Sequence, residues 1–78
     1  MATVSPHIVI AFHTTAEALA FQKLAKTSDL SGRLAPIPRQ ISAGCGFAWR
    51  EQTCNEALLI ELISANDVDY ESLTRMDL

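Results

Sequence analysis

Two short runs of alternating apolar residues, each followed at once by a helix-start pattern, constrain the fold of this chain more than any other feature. Residues 7–13 and 46–51 alternate large apolar side chains with smaller or polar ones, which is typical of strands with one buried face. A Thr-x-x-Glu capping box follows each run, at 14–17 and at 53–56. These boxes predict two helices that end near residues 28 and 66.

Two further strands have weaker signals. Residues 33–37 are short and apolar, and Pro36 and Pro38 cannot donate to a ladder, so we place this strand at a sheet edge. Residues 68–73 carry three apolar positions out of phase, and residues 74–78 are expected to fray. Gly32 is expected to mark the exit from the first helix.

The order strand, helix, strand, strand, helix, strand predicts an α+β fold, a ferredoxin-like βαββαβ sandwich. We expect one domain over 1–78, with an ordered core at about 6–73, in which two helices cover one face of a four-stranded antiparallel sheet. The opposite face would carry four small or mixed side chains: Val9, Ala11, Ala48 and Arg50. Such a face suits a dimer contact or a partner surface.

Composition limits the partners. Of the 78 residues, 49% are hydrophobic and 19% charged, so apolar surface is plentiful for so small a core and self-association as a homodimer is favoured. A net charge of −3 with six scattered basic residues provides no basic field for a phosphate backbone, which argues against nucleic-acid binding.

The absence of some sequence patterns narrows the function as well. No apolar run is long enough to span a membrane, and no export signal is recognisable. Two cysteines in such a chain favour a cytoplasmic location with free thiols. There is no Cys-x-x-Cys pair and no glycine-rich phosphate loop, so we expect neither a metal site nor a bound cofactor.

Cys45 lies between Gly44 and Gly46, just after a segment containing two prolines and Arg39. Flanking glycines admit a positive φ and leave room around the sulfur, and a neighbouring arginine favours the thiolate. The pattern therefore predicts a reactive thiol on an exposed turn. Ser42 could cap this turn or donate to the sulfur.

The predicted topology gives that thiol its neighbours. Because the first and second strands run in the same direction, the turn after the second strand shares an edge with His13 and with the helix start capped by Thr14. Free N–H groups at that helix start would stabilise a thiolate. His13 could assist proton transfer, although a surface residue or local cap is the simpler interpretation.

Cys54 is expected at the opposite edge, in the first turn of the second helix. The helix start could lower its pKa and make it reactive, although a small buried residue is the simpler interpretation. A strand of about six residues separates it from Cys45, a span of roughly 20 Å. A disulfide needs Cα atoms within about 7 Å, so an intramolecular bridge is disfavoured.

The segment 36–50, with Phe12 and 14–19 before it, resembles a family of small bacterial domains described as selenium/sulfur (Se/S) carrier protein-like, related by context to TusA-like sulfur carriers. The most specific part is 38–50, which fits a pattern of Pro-Arg, apolar-Ser, Cys-Gly and an alternating strand ending in arginine. The resemblance covers nearly the whole chain. It implies a carrier rather than a turnover enzyme, in which Cys45 accepts sulfur or selenium from a donor protein and delivers it to an acceptor.

Two other interpretations remain open. The chain could be a noncatalytic interaction or regulatory domain that dimerises, with Cys45 packing the turn. It could also be a redox sensor that forms an intermolecular Cys45 bridge, which predicts a reducible dimer.

Overall fold

The computed structural model describes residues 5–41 and 46–78, which form four strands and two helices around one core. The elements are β1 (Pro6–Ala11), α1 (Thr15–Ala25), β2 (Arg33–Pro36), β3 (Phe47–Gln52), a 3-10 turn (Thr53–Asn55), α2 (Glu56–Ala65) and β4 (Ser72–Asp77). The strands form one sheet in the order β2-β3-β1-β4, and every neighbouring pair is antiparallel. This confirms the predicted α+β ferredoxin-like fold.

The core lies between the sheet and the two helices. Ile10 of β1 pairs with Trp49 of β3, and both belong to a buried cluster with Phe21 of α1 and Leu59 of α2. The Phe21 ring lies 5.2 Å from the Trp49 ring in an edge-on arrangement and 5.6 Å from Phe12. Burying each large side chain of this kind contributes about 1.5–3 kcal/mol, so this cluster is the main support of the fold.

The face opposite the helices carries the side chains expected there, but it exposes little of them. Val9, Ala11 and Ala48 alternate with the core residues of β1 and β3, and each has no accessible surface. Arg50 is half-buried. A second copy packed on this face could not bury more of those three apolar side chains, so the area that motivated a dimer contact there is absent.

The last strand exists, but its predicted bounds are wrong. The strand begins at Ser72 rather than at residue 68, and it pairs with β1 from Ala11 opposite Ser72 to Pro6 opposite Asp77. Ser5 and Leu78 then exchange two backbone hydrogen bonds of 3.0 Å, so the segment expected to fray is paired. A central strand needs a ladder partner along its length because buried backbone groups must be hydrogen-bonded, and local sequence does not reveal which segment supplies it.

Gly32 has a different role from the predicted helix exit. Helix α1 ends at Ala25, capped by Lys26, while Gly32 immediately precedes β2. A Cβ at position 32 would collide with the backbone carbonyl of Arg50 and with the side chains of Glu51 and Trp49. This glycine is required by the close approach of two backbones.

Glu51 explains that close approach. Its side chain is fully buried on the helix-facing side of β3, and its carboxylate accepts five hydrogen bonds. The donors are the backbone N–H groups of Ser31 and Gly32, the Ser31 hydroxyl, the Trp49 indole and the Asn55 amide, at 2.8–3.1 Å. The carboxylate therefore ties the segment before β2 to β3 and to the 3-10 turn.

These contacts also show why the second capping box is wrong. Asn55, which precedes the first residue of α2, donates its side-chain amide to Glu51, and no side chain caps the helix start. Thr53 belongs to the 3-10 turn instead of starting the helix. The hydrogen bond to Glu51 has replaced the helix cap.

Candidate functional site

The ends of β1 and β2 meet at one edge of the sheet, as the topology predicted. Both strands are antiparallel to β3, and Ala11 and Ala35 lie on either side of Ala48 in the ladder. Helix α1 begins four residues after Ala11. This edge therefore brings together the start of α1 and the start of the segment that leads from β2 to β3.

The start of α1 carries the predicted cap. The Thr14 side chain accepts a hydrogen bond of 3.2 Å from the Glu17 backbone N–H, which confirms the first capping box. The Glu17 carboxylate in turn accepts from the backbone N–H of His13 at 2.8 Å and contacts its ring nitrogen Nδ1 at 3.1 Å. The backbone hydrogen bond from His13 is the largest cause of a lowered pKa for Glu17.

His13 is thus engaged in capping the helix. Its ring is about half exposed and pairs with Glu17, which agrees with the simpler of its two interpretations. The Glu17 carboxylate adds a negative charge at the same helix start, where it is favourable to the helix dipole. The Glu17 carboxylate partly offsets the positive potential of the helix start, so the helix start would stabilise a nearby thiolate less than it would without Glu17.

The segment between β2 and β3 begins and ends at this edge of the sheet. The Ile37 backbone N–H donates to the Gly46 carbonyl at 3.0 Å, and the Ile41 N–H donates to the Pro38 carbonyl at 3.0 Å, closing a turn. Arg39 lies in that turn and is exposed. Three predicted site residues, Ser42, Gly44 and Cys45, lie outside the described residues.

Gly46, the last predicted site residue of this segment, does not adopt a positive φ. A Cβ built on it would meet no atom of the described residues within 4 Å. Gly46 therefore does not use the positive φ that a glycine permits, and the described residues leave the space beside it open.

Cys54 is exposed, and the expectation that it is a small buried residue is wrong. It lies in the 3-10 turn beyond the other end of β3 from Gly46. Its sulfur lies 3.7 Å from Gln52 Oε1 and 3.9 Å from Asn55 Oδ1. It was expected in the first turn of the helix because the cap was predicted two residues too early, at Thr53 instead of Asn55, and the 3-10 turn leaves this position exposed.

Sequence reasoning missed Glu51. Burial by itself raises the pKa of this carboxyl, but hydrogen bonds from Asn55, Trp49 and the backbone of Gly32 and Ser31 outweigh it, so the pKa lies below its ordinary value. A signal was present, since Glu51 falls two residues after Trp49 and thus on the buried parity of the strand. A carboxylate at such a position must be anchored by donors.

Two further properties of residues 5–41 and 46–78 bear on the kind of site. Within them, no three His, Cys, Asp or Glu side chains are grouped so that they could hold a metal ion. None of the helices in this part of the chain is both long enough and apolar enough to cross a membrane.

Fold and edge together define a class: a small ferredoxin-like domain whose cysteine-bearing segment connects β2 to β3 next to a capped helix start. The family is given by comparison with family models. Residues 7–75 match the model described as "Putative Se/S carrier protein-like", and the chain belongs to this family. No curated protein matches the chain. No solved structure matches it either.

Proposed function

We propose that this protein is a sulfur or selenium carrier in which Cys45 accepts the transferred atom from a donor protein and delivers it to an acceptor. The observation that carries this proposal is the family match over residues 7–75, which includes the Gly44-Cys45-Gly46 sequence. The meeting of the ends of β1 and β2 with the start of α1 supports it, because the segment that contains Cys45 starts and returns there.

The chemistry is an exchange between thiolates. The Cys45 thiolate attacks the terminal sulfur of a donor persulfide, a new S–S bond forms at Cys45, and the donor S–S bond breaks to release the donor thiolate. Delivery to an acceptor thiolate is the same step in reverse. A donor selenosulfide reacts in the same way at its terminal selenium, and neither step needs an external oxidant or reductant.

The residues proposed to assist fall into three groups. Arg39 and the Thr14-capped start of α1 would stabilise the anion. His13 would move a proton, and Ser42 would donate to the sulfur. Gly44 and Gly46, which have no side chains, would let the partner protein reach the Cys45 sulfur. The proposed setting is a reducing cytoplasm, where such a thiol stays free.

Cys54 is the competing thiol in any test, because it is exposed. The experiment therefore uses three proteins: the wild type, Cys45→Ser and Cys54→Ser. Each is incubated with a small persulfide donor such as cysteine persulfide and examined by intact mass spectrometry. We expect a gain of one sulfur atom in the wild type and in Cys54→Ser, reversed by a thiol acceptor, and no such gain in Cys45→Ser.

An adduct that persists in Cys45→Ser and disappears in Cys54→Ser would overturn the assignment of the carrier thiol. No adduct in any of the three proteins, with a donor that modifies free cysteine under the same conditions, would overturn the carrier function itself.

The second candidate is a noncatalytic domain that dimerises. It is supported by exposed apolar side chains on the helical side, Leu19 (54% exposed) and Ile60 (40% exposed). Alkylation of Cys45 against pH, measured in the Cys54→Ser background, separates the two functions. A thiol pKa at or above about 8.5, the value of a free cysteine, favours the noncatalytic domain. A lower pKa favours the carrier.

A further inference from the structure

Two arginines lie directly opposite each other on neighbouring strands. Arg33 of β2 is the ladder partner of Arg50 of β3, and like charges in such positions destabilise a sheet. Within residues 5–41 and 46–78, neither guanidinium has a carboxylate partner, whereas Arg75 binds Glu56 through two hydrogen bonds of 2.6 and 2.9 Å. The paired arginines therefore place two positive charges side by side without compensation from the part of the chain that the structure describes.

A cavity of about 200 Å³ lies beside this pair. Its described lining residues are His7, Ser31, Gly32, Arg33, Arg50 and Gln52. None of these is acidic, although the chain as a whole carries a net charge of −3. The cavity is therefore a local positive site on an otherwise acidic protein.

The buried carboxylate of Glu51 lies on the other side of β3 from the Arg50 side chain. Its side chain is on the helix-facing side of β3, while Arg50, the residue before it, projects to the opposite face. Its two oxygens are occupied by the five donors already described, among them the backbone N–H groups of Ser31 and Gly32. The Glu51 contacts instead hold the wall of the cavity at Ser31 and Gly32 in place.

We propose that this cavity, which we call the arginine-pair site, binds a tetrahedral oxyanion of the phosphate class. Two guanidinium groups on adjacent strands, about 4.8 Å apart at the backbone, can each present a fork of N–H donors to one anion. Gln52 adds an amide from the next row of the same face. Donors arriving from two strands and two rows match the four oxygens of a tetrahedral anion better than the planar pair of a carboxylate.

His7 has a secondary part in this site. Its Nδ1 lies 2.9 Å from the Ser5 carbonyl oxygen, and a carbonyl only accepts, so Nδ1 carries a proton. In the neutral ring the other nitrogen, Nε2, is then an acceptor and offers an anion no hydrogen. Anion binding therefore falls mainly to the two arginines.

The arginine-pair site is separate from Gly46, where the segment that contains Cys45 rejoins β3. Arg50 follows Gly46 by four strand positions, about 13 Å at the rise of a strand, at the other end of β3 from the segment that contains Cys45. The inference rests on Arg33, Arg50 and the cavity, so it stands or falls independently of sulfur or selenium transfer.

The test is a titration of the ¹⁵N-labelled full chain with inorganic phosphate, compared with chloride at matched ionic strength. We expect saturable shifts of the Gly32 amide and of the Arg33 and Arg50 Nε–H signals. Arg33→Gln and Arg50→Gln should each weaken phosphate binding by about tenfold, the loss expected for one charge-assisted hydrogen-bonded group. Lys23→Gln, which removes the same charge from the exposed face of α1, should leave binding unchanged.

Melting temperatures provide a second test of phosphate binding at the arginine-pair site. In chloride, Arg33→Gln should melt at a higher temperature than the wild type, because it removes the repulsion between paired arginines. Phosphate should raise the melting temperature of the wild type and not that of Arg33→Gln. Arg50→Lys keeps the charge but loses the fork, so its phosphate affinity should fall between those of the wild type and Arg50→Gln.

Shifts that do not saturate, or that are lost equally in Lys23→Gln, would overturn the proposal. A titration arm with a small phosphate monoester, phenyl phosphate, distinguishes the source of the oxyanion. Tighter binding of the ester indicates a phosphorylated small molecule, and tighter binding of inorganic phosphate indicates the free ion.

Discussion

The two ends of β3 differ sharply in how firmly the chain holds them. At the Glu51 end, a fully buried carboxylate accepts five hydrogen bonds from three separate segments, and a glycine allows two backbones to approach closely. At the Gly46 end, a Cβ would meet no atom within 4 Å in the part of the chain that the structure describes, and Phe47 is 46% exposed. Among the described residues, a buried network of hydrogen bonds therefore holds the Glu51 end of β3.

This difference predicts that the two ends of β3 tolerate substitution to different extents. The Glu51 end stabilises the sheet and leaves no room for substitution. At the Gly46 end, the described residues leave room for an added methyl group. Substitutions at the two ends should accordingly have opposite consequences for stability, and three experiments test that expectation.

Gly32→Ala should have the largest effect. The added methyl group would meet the Arg50 carbonyl and the side chains of Glu51 and Trp49, so either the segment before β2 moves away or the Glu51 hydrogen bonds break. We expect the free energy of unfolding to fall by about 3 kcal/mol, measured by urea denaturation. A loss below about 1 kcal/mol would show that the close approach is easily relaxed.

Glu51→Gln should come next, with a loss of about 2 kcal/mol. The amide replaces one acceptor oxygen with an N–H₂ group that faces hydrogen-bond donors, and a buried donor left without an acceptor costs about 1–3 kcal/mol. Glu51 and Gly32 belong to one network, so the loss in the double variant should be smaller than the sum of the single losses. Strict additivity would contradict a shared network.

The stability difference between the wild type and Glu51→Gln should also depend on pH. The pKa of Glu51 is lowered from its ordinary value of 4.5 by its hydrogen bonds. Its contribution to stability is therefore complete above pH 4.5 and is lost as the pH falls through the folded-state pKa. The difference in stability between the wild type and Glu51→Gln should shrink in that acid range. A constant difference from pH 7 to below pH 4.5 would show that the charge of the carboxylate contributes nothing.

Gly46→Ala should have the smallest effect and serves as the matched control for Gly32→Ala. Its φ is not positive and its surroundings are open, so alanine should fit and, by restricting the unfolded chain, raise stability by less than about 1 kcal/mol. Urea denaturation measures this change as well. A loss comparable to that of Gly32→Ala would remove the contrast between the two ends of β3.

The predictable part of the fold was local. The alternation in β1 and β3, the Thr14 cap and the edge position of β2 follow from spacing, because strand parity, a cap and a proline act within a few residues. The start of β4 was wrong because nothing near residue 68 reports that β1 needs a partner as far as Asp77.

For the candidate site, the sequence predicted which elements meet but not the exposure or backbone conformation of individual residues. The sequence correctly brought the end of β1, the start of α1 and the segment after β2 to one edge, and it gave Thr14 its partner. It did not reveal that Cys54 is exposed or that Gly46 needs no left-handed backbone. Those properties depend on the 3-10 turn before α2 and on how the loop joins β3.

The sequence by itself determined the order of strands and helices, the family and the position of the cysteine-bearing segment, because each depends on residues that are close together in the chain. Only the tertiary structure decided that Glu51 is a buried anchor and that Arg33 faces Arg50. Both depend on partners some twenty residues away in the chain, and a hydrogen bond or a repulsion between such residues exists only once the sheet has set its register.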